Sequence, residues 1–242
     1  MRPDITLILP AFNEAASITG TLAEAVRYFE QAELRYEIIV AADGNDGTRE
    51  IVAALARENP AIHVIGGTER RGKGRGIREA VLLSNGGMIG FADADNKVPV
   101  SEFDKIQPWL REGWQVVTGS RGLRGSSIER RQRLYRRLGS RGFAIFMQAV
   151  IGLPGIVDTQ CGFKFFSREA ALELFGRQKI DGYMFDVEIL ALAQRLGYRI
   201  KQVPIRWRDD ADSRFDPLSG GLKNLIDIFK IRLSLAHAGR PK

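Results

Sequence analysis

The sequence predicts an α/β fold with a mostly parallel central sheet flanked by helices, and three observations carry that prediction. Short β-branched runs, ITLILP at 5–10, EIIVAA at 37–42, IHVIG at 62–66 and MIGFAD at 88–93, recur through the first half of the chain. Between the first two, Ile18, Leu22, Val26 and Phe29 return at helical spacing. Each run is followed by a polar cluster, AFNE after the first and clusters that contain Gly or Asp after the other three. Such alternation calls for parallel strands joined by helices that cover both faces of the sheet. Ligands of open sheets of this kind bind beyond the C-terminal ends of the strands.

The remaining elements follow in order. Helices are predicted over about 47–58 and 75–85, and Ser101 with Asp104 reads as a capping box. An arginine-rich helix is expected at about 129–151, followed by the loop LPGIVDTQ and the strand CGFKFF. Ser167 opens the helix SREAALELF as its N-cap. Another helix starts at about 184. The alternating segment YRIKQVPIRWR contains Pro204, which cannot donate a ladder hydrogen bond and so marks an edge strand. The tail GGLKNLIDIFKIRLSLAHAG is an amphipathic helix that carries Lys223, Lys230 and Arg232. No repeat or linker divides the chain, so residues 1–218 read as one domain, with residues 219–242 as its helical tail.

With 242 residues, 44% hydrophobic and 27% charged, the chain can bury a full core. Its one cysteine, Cys161, cannot form an internal disulfide. The apolar N-terminal segment is ended by Pro10 and Glu14, unlike a signal peptide, so the cytosol is the expected compartment. The run FAIFMQAVIGLPGIV at 143–157 is broken by Gln148 and Pro154-Gly155, short of the ~20 apolar residues a spanning helix needs. A net charge of +7 points to a polyanionic partner: nucleic acid, membrane surface or phosphorylated metabolite. Between Arg121 and Arg141 lie eight arginines and no lysine. The guanidinium fork suits bidentate phosphate contact better than an ammonium does, although at least half of that run is expected to be a solvated helix face.

The sheet rule gathers the polar motifs onto one edge. Pro10-Ala-Phe12-Asn-Glu14 follows the first strand, Asp43-Gly-Asn-Asp46-Gly47 the second, Arg70-Arg-Gly-Lys73-Gly74 the third and Asp93-Ala-Asp95 the fourth. The glycines of RRGKGRG let backbone N–H groups approach an anion, with Lys73 as a point charge. Asp93 and Asp95 repel each other this close to a buried strand, so a metal ion, an Arg or Lys, or water must answer them.

These residues carry a resemblance. LPAFNEAASI, DGNDGTREI, GKGRGIREA, FADADNKVP, GSRG at 119–122, DTQCGFKFFSREAA at 158–171 and FDVEILALA at 185–193 resemble the motifs of the inverting family 2 glycosyltransferases. Within that family they are most similar to the polyprenyl-phosphate sugar synthases of the dolichyl-phosphate glucosyltransferase type, and they span nearly the whole chain in the family's order. The resemblance implies a GT-A fold and a nucleotide-sugar donor. It implies a divalent metal, Mg²⁺ or Mn²⁺, held by Asp95 with Asp93 supporting it or meeting the ribose, since hard carboxylate oxygens suit either ion. Pro10, Phe12, Glu14 and Asp43 match positions that cradle the base and ribose. The chain reads VAADGNDGT where the family more often has a paired Asp, which leaves either Asp43 or Asp46 as the base contact, with Asp46 alternatively a helix cap.

On the acceptor side the resemblance places Arg121, Arg136 and Ser140 around a lipid phosphate and Arg214 on a loop that closes over the donor diphosphate. A phosphate acceptor is largely anionic at neutral pH and needs little help from a base. A sugar hydroxyl acceptor would need one, and Asp158, Asp186 and Glu188 are the candidates, with Glu188 favoured as scaffolding. UDP-glucose and a polyprenyl phosphate are the expected substrates. The alternatives are a GDP-mannose-dependent mannosyltransferase, a family 2 enzyme with a soluble acceptor, a nucleotidyltransferase, and a module that binds nucleic acid or membrane through its arginines. No nucleic-acid partner is expected. The basic tail helix either lies peripherally in the headgroup region or packs on the catalytic domain.

Overall fold

A computed structural model describes residues 1–128, 147, 150–208 and 217–237. The arginine-rich helix expected at about 129–151 falls largely outside the described residues, and so do Arg136, Ser140 and Arg214. Strand β1 (Ile5–Phe12), helix α1 (Ile18–Gln31) and strand β2 (Tyr36–Asp43) form the first βαβ unit. Helix α2 (Thr48–Glu58), β3 (Ile62–Ile65), α3 (Lys73–Leu83) and β4 (Met88–Ala92) continue the alternation. After a 3₁₀ turn at Val100–Lys105 come α4 (Gln107–Arg111), β5 (Val116–Ser120), β6 (Ser127–Ile128), β7 (Phe163–Ser167) and α5 (Arg168–Arg177). Helix α6 (Phe185–Arg195), β8 (Ile200–Pro204), β9 (Arg206–Trp207) and α7 (Pro217–His237) complete the chain.

The main sheet runs β3-β2-β1-β4-β7-β5-β8, with only β7 antiparallel to its neighbours, and β6 and β9 pair separately. The order reverses between β1 and β4, a switch point whose crevice opens beyond the strand ends. Because β7 runs the other way, its N-terminal approach, residues 158–162, arrives at that same edge. β8 lies at the sheet margin, as Pro204 requires. β5 had no counterpart among the sequence-based strands. The Ser101 capping box is not formed: the 3₁₀ turn starts after Pro99 without a side-chain cap, and Asp104 instead accepts the Tyr28 hydroxyl at 2.6 Å. Ser167 does cap α5, accepting from the Ala170 N–H.

Strand alternation sorts the core onto two faces. Ile5, Leu7 and Leu9 join Phe29, Val52, Phe103 and Phe165 on one side. Ile8, Phe91 and Phe166 join the helical residues Ile77, Leu174 and Ile189 on the other. Helix α7 lays Ile228 and Ile231 into this second cluster and leaves Leu225, Ile226, Phe229 and Leu233 exposed. Among the described residues no helix is long and apolar enough to cross a membrane.

Candidate active site

The acidic pair leaves the end of β4, and its loop is fixed from both sides. Thr21 of α1 donates to the Ala94 carbonyl at 2.8 Å, and the Asn96 amide donates to Glu24 at 2.6 Å. Lysines answer the two carboxylates. Lys73 Nζ lies 2.5 Å from Asp93 Oδ1, and Lys97 Nζ lies 2.9 Å from Asp95 Oδ2. Burial alone would lower the Lys73 pKa, but Asp93, and behind it Asp186, outweigh this and hold the ammonium well above the usual lysine range. Lys73 therefore belongs to this crevice as a cation.

Behind Asp93 stands the approach to β7. The Asp93 N–H donates to the Gly162 carbonyl at 3.2 Å, and a Cβ at residue 162 would sit 2.1 Å from Asp93 Oδ2. Only glycine lets that carboxylate occupy its place. At the other end of the same turn, Asp158 grips Arg121 in a fork: Nε to Oδ2 at 2.8 Å and Nη2 to Oδ1 at 2.9 Å, with the Arg121 N–H adding 3.0 Å. Burial pushes the Asp158 carboxyl up, but the Arg121 hydrogen bonds and charge outweigh it and hold the group below the usual aspartate value. The Trp207 ring centre is 5.6 Å from the same guanidinium, which is thus fixed by a fork and an aromatic face.

On the donor side Asp43, at the end of β2, accepts from the Gly67 N–H at 3.3 Å and from the Arg71 N–H at 2.8 Å, while Arg71 Nε lies 3.3 Å away. Asp46 is committed locally: it accepts from the N–H and hydroxyl of Thr48, at 3.1 and 2.5 Å, and from the Ala15 N–H at 2.9 Å. It therefore locks the start of α2 to the loop after β1. Glu14 lies in that loop, where its carboxylate accepts the Ser17 hydroxyl at 2.8 Å. Pro10 sits within β1 opposite Ala41. Phe12 ends the strand, partly exposed, with the Arg70 guanidinium 4.5 Å above its ring.

Two N–H groups of the glycine-rich segment are engaged within the protein. The Arg71 N–H is spent on Asp43, and the Arg75 N–H donates to the Asp181 carbonyl at 3.2 Å. A Cβ on Gly74 would lie 2.6 Å from Phe185 Cβ, and Gly72, at φ +114°, abuts the Asp181 carbonyl. These glycines permit close packing of α3 against residues 180–185.

Asp186 is only 3% exposed, and its Oδ1 accepts from Lys164 Nζ at 2.6 Å. Burial is the largest influence on it and raises its pKa, against the pull of Lys164 and Lys73. Glu188 accepts the Lys179 and Ile180 N–H groups, the scaffolding role favoured for it. Lys97, Gly162 and Lys164 escaped the sequence reading. A lone lysine among the phenylalanines of FKFFS was the available signal for the last of them.

A family model described as Glycosyl transferase family 2 matches residues 6–175. A dolichyl-phosphate beta-glucosyltransferase of Trichomonas vaginalis is 36% identical over 94% of this chain and 70% of its own length. The Homo sapiens protein of that name is 32% identical over 95% of this chain and 75% of its own. Among solved structures, glucosyl-3-phosphoglycerate synthase from Mycobacterium tuberculosis in complex with UDP superposes with a TM-score of 0.67 at 23% identity, covering 99% of this chain and 82% of that one. The same synthase has been crystallised with Mn²⁺ and UDP-glucose. Mannosyl-3-phosphoglycerate synthase from Rubrobacter xylanophilus gives a TM-score of 0.71 at 19% identity, over 96% of this chain and 74% of that one. At these identities the likeness bears on the fold, which is GT-A. With the family model covering most of its length, the chain belongs to glycosyl transferase family 2, together with the dolichyl-phosphate beta-glucosyltransferases, which match 94–95% of it.

Proposed function

We propose that the protein transfers glucose from UDP-glucose to a dolichyl or polyprenyl phosphate, with inversion at the anomeric carbon. One observation carries the choice of acceptor: the three carboxylates that are candidates for the base a hydroxyl acceptor would require are each engaged. Asp158 is forked to Arg121, Asp186 is enclosed with Lys164, and Glu188 is bound to backbone N–H groups. A phosphate monoester, with its second pKa near 6, arrives already anionic and needs a cation to orient it. Arg121 is held ready for that role, within electrostatic reach of Asp93 across the crevice. The names of the relatives agree with this acceptor, and UDP-glucose is the donor seen with a synthase of the same fold.

The donor set fits a divalent ion. Two adjacent carboxylates offer hard oxygen ligands, and no group of three or more His, Cys, Asp or Glu able to hold a metal occurs among the described residues. Magnesium commonly takes one or two carboxylates and fills its remaining positions from substrate phosphates and water. Asp95, with Asp93, would hold Mg²⁺ or Mn²⁺, which when bound neutralises charge on the departing UDP. Lys73 and Lys97 supply positive charge at the same place. Pro10, Phe12, Glu14 and Asp43 line the base and ribose side, and Asp46 acts through the loop it locks. Arg136, Ser140 and Arg214 keep their proposed phosphate roles. The exposed face of α7, with Leu225, Ile226 and Phe229 beside exposed Lys230 and Arg232, suits peripheral contact with an anionic cytoplasmic membrane surface, where the isoprenoid acceptor resides.

Liposomes carrying polyprenyl phosphate, incubated with Mn²⁺ and radiolabelled UDP-glucose, should yield labelled lipid. GDP-mannose, run in parallel, should yield none. Label from GDP-mannose alone would replace the donor; transfer only to a soluble acceptor would overturn the lipid assignment.

A further inference from the structure

Lys164 has no solvent exposure, although it stands between Phe163 and Phe165 in the middle of the sheet. Its ammonium donates to the Cys161 carbonyl at 2.5 Å and to Asp186 Oδ1 at 2.6 Å, and the Phe91 ring centre lies 5.6 Å away. An enclosed ion pair of this sort contributes little net stability, because removing both charges from water offsets their attraction; apolar residues of similar volume usually do as well or better. Its place in the chain shows what else it does. Residues 158–162 form a strap along the crevice. At one end Asp158 holds Arg121; at the other the Gly162 carbonyl accepts the Asp93 N–H, and its Cα lies against the Asp93 carboxylate. Lys164 grips the strap at the peptide between Cys161 and Gly162.

We propose that Lys164, fixed by Asp186, is a positioning residue that pins this strap and so keeps Asp93 on the donor side in register with Arg121 on the acceptor side. The proposal rests on the reading in which Asp93 meets the donor and Arg121 the acceptor phosphate. It assigns the buried pair a part in the reaction that neither side chain performs by touching substrate. Supporting residues behind a metal site commonly change metal affinity by about 10–100-fold when replaced.

The test is a paired replacement, Lys164→Met with Asp186→Leu, which removes both charges together, alongside Asp186→Asn, which keeps an oxygen for Lys164. Two properties are read in folded protein: UDP affinity with and without Mn²⁺, and the rate at which the single thiol of Cys161 reacts with a disulfide reagent. The paired variant should lose about ten-fold or more of the Mn²⁺-dependent gain in UDP affinity, keep its metal-free UDP affinity, and label faster at Cys161, with Asp186→Asn lying between it and wild type. Wild-type metal dependence and labelling in both variants would overturn the proposal, as would equal losses of UDP affinity with and without metal. Should the paired variant not fold, Asp186→Asn decides on the same criteria. Wild-type protein that shows no Mn²⁺-dependent UDP binding fails the donor reading itself, and the labelling comparison then judges the pin alone.

Discussion

Gly162→Ala is the sharpest probe of the crevice. The added Cβ would stand 2.1 Å from Asp93 Oδ2, 2.4 Å from Cγ and 2.6 Å from Oδ1, while ordinary contact begins at 3.4 Å. The carboxylate must therefore retreat by about 1.3 Å. It has room to do so, because the Asp93 side chain is 40% exposed, so the stability cost falls near the low end of the ~1–3 kcal/mol typical of overpacking. For a chain of this length that is a drop of roughly 2–4 °C in Tm. Turnover should suffer far more, since a displacement near 1 Å in a catalytic array costs on the order of 100-fold. Calorimetry and the liposome assay measure the two quantities separately. A folded Gly162→Ala protein with wild-type turnover and wild-type metal-dependent UDP binding would refute the placement of Asp93 at the reacting centre.

Gly20→Ala, in α1 with no atom within 4 Å of the added methyl, should instead stabilise the protein by about 0.4–1 kcal/mol without changing turnover, as thermal unfolding will record. Asp95→Asn should abolish Mn²⁺-dependent donor binding and turnover while leaving the circular dichroism spectrum unchanged; near wild-type activity would remove Asp95 from the site. Because Arg121 holds the Asp158 carboxyl below its ordinary value near 3.8 against the opposing effect of burial, the stabilisation is complete above that pH and is lost as pH falls through the lower folded value. Tm profiles of wild type and Asp158→Asn should accordingly converge below pH 4, and a gap unchanged down to pH 2 would contradict the pairing. Burial pushes the Cys161 thiol up to about 12, so in native protein it should resist disulfide reagents at neutral pH and react on denaturation.

The alternation of β-branched runs with helical periodicity was enough, read along the chain, to determine the parallel half of the sheet, because hydrophobic period reports which face each residue buries. It also determined that the loops carrying Asp43, Lys73 and Asp93 share one edge, since parallel strands all end on the same side. The edge position of β8 was legible in Pro204, which lacks a ladder donor. What tertiary structure decided was pairing between residues far apart in sequence. That Asp158 meets Arg121, that Lys73 rather than a distant arginine answers Asp93, and that Asp104 serves Tyr28 rather than a helix cap all depend on contacts that no local pattern encodes. The antiparallel insertion of β7 between β4 and β5 is of the same kind. It brings Gly162 and Lys164 behind the acidic pair, and it turns an unremarked glycine and a stray lysine into parts of the site, because steric exclusion and buried charge acquire their meaning only from the groups packed around them.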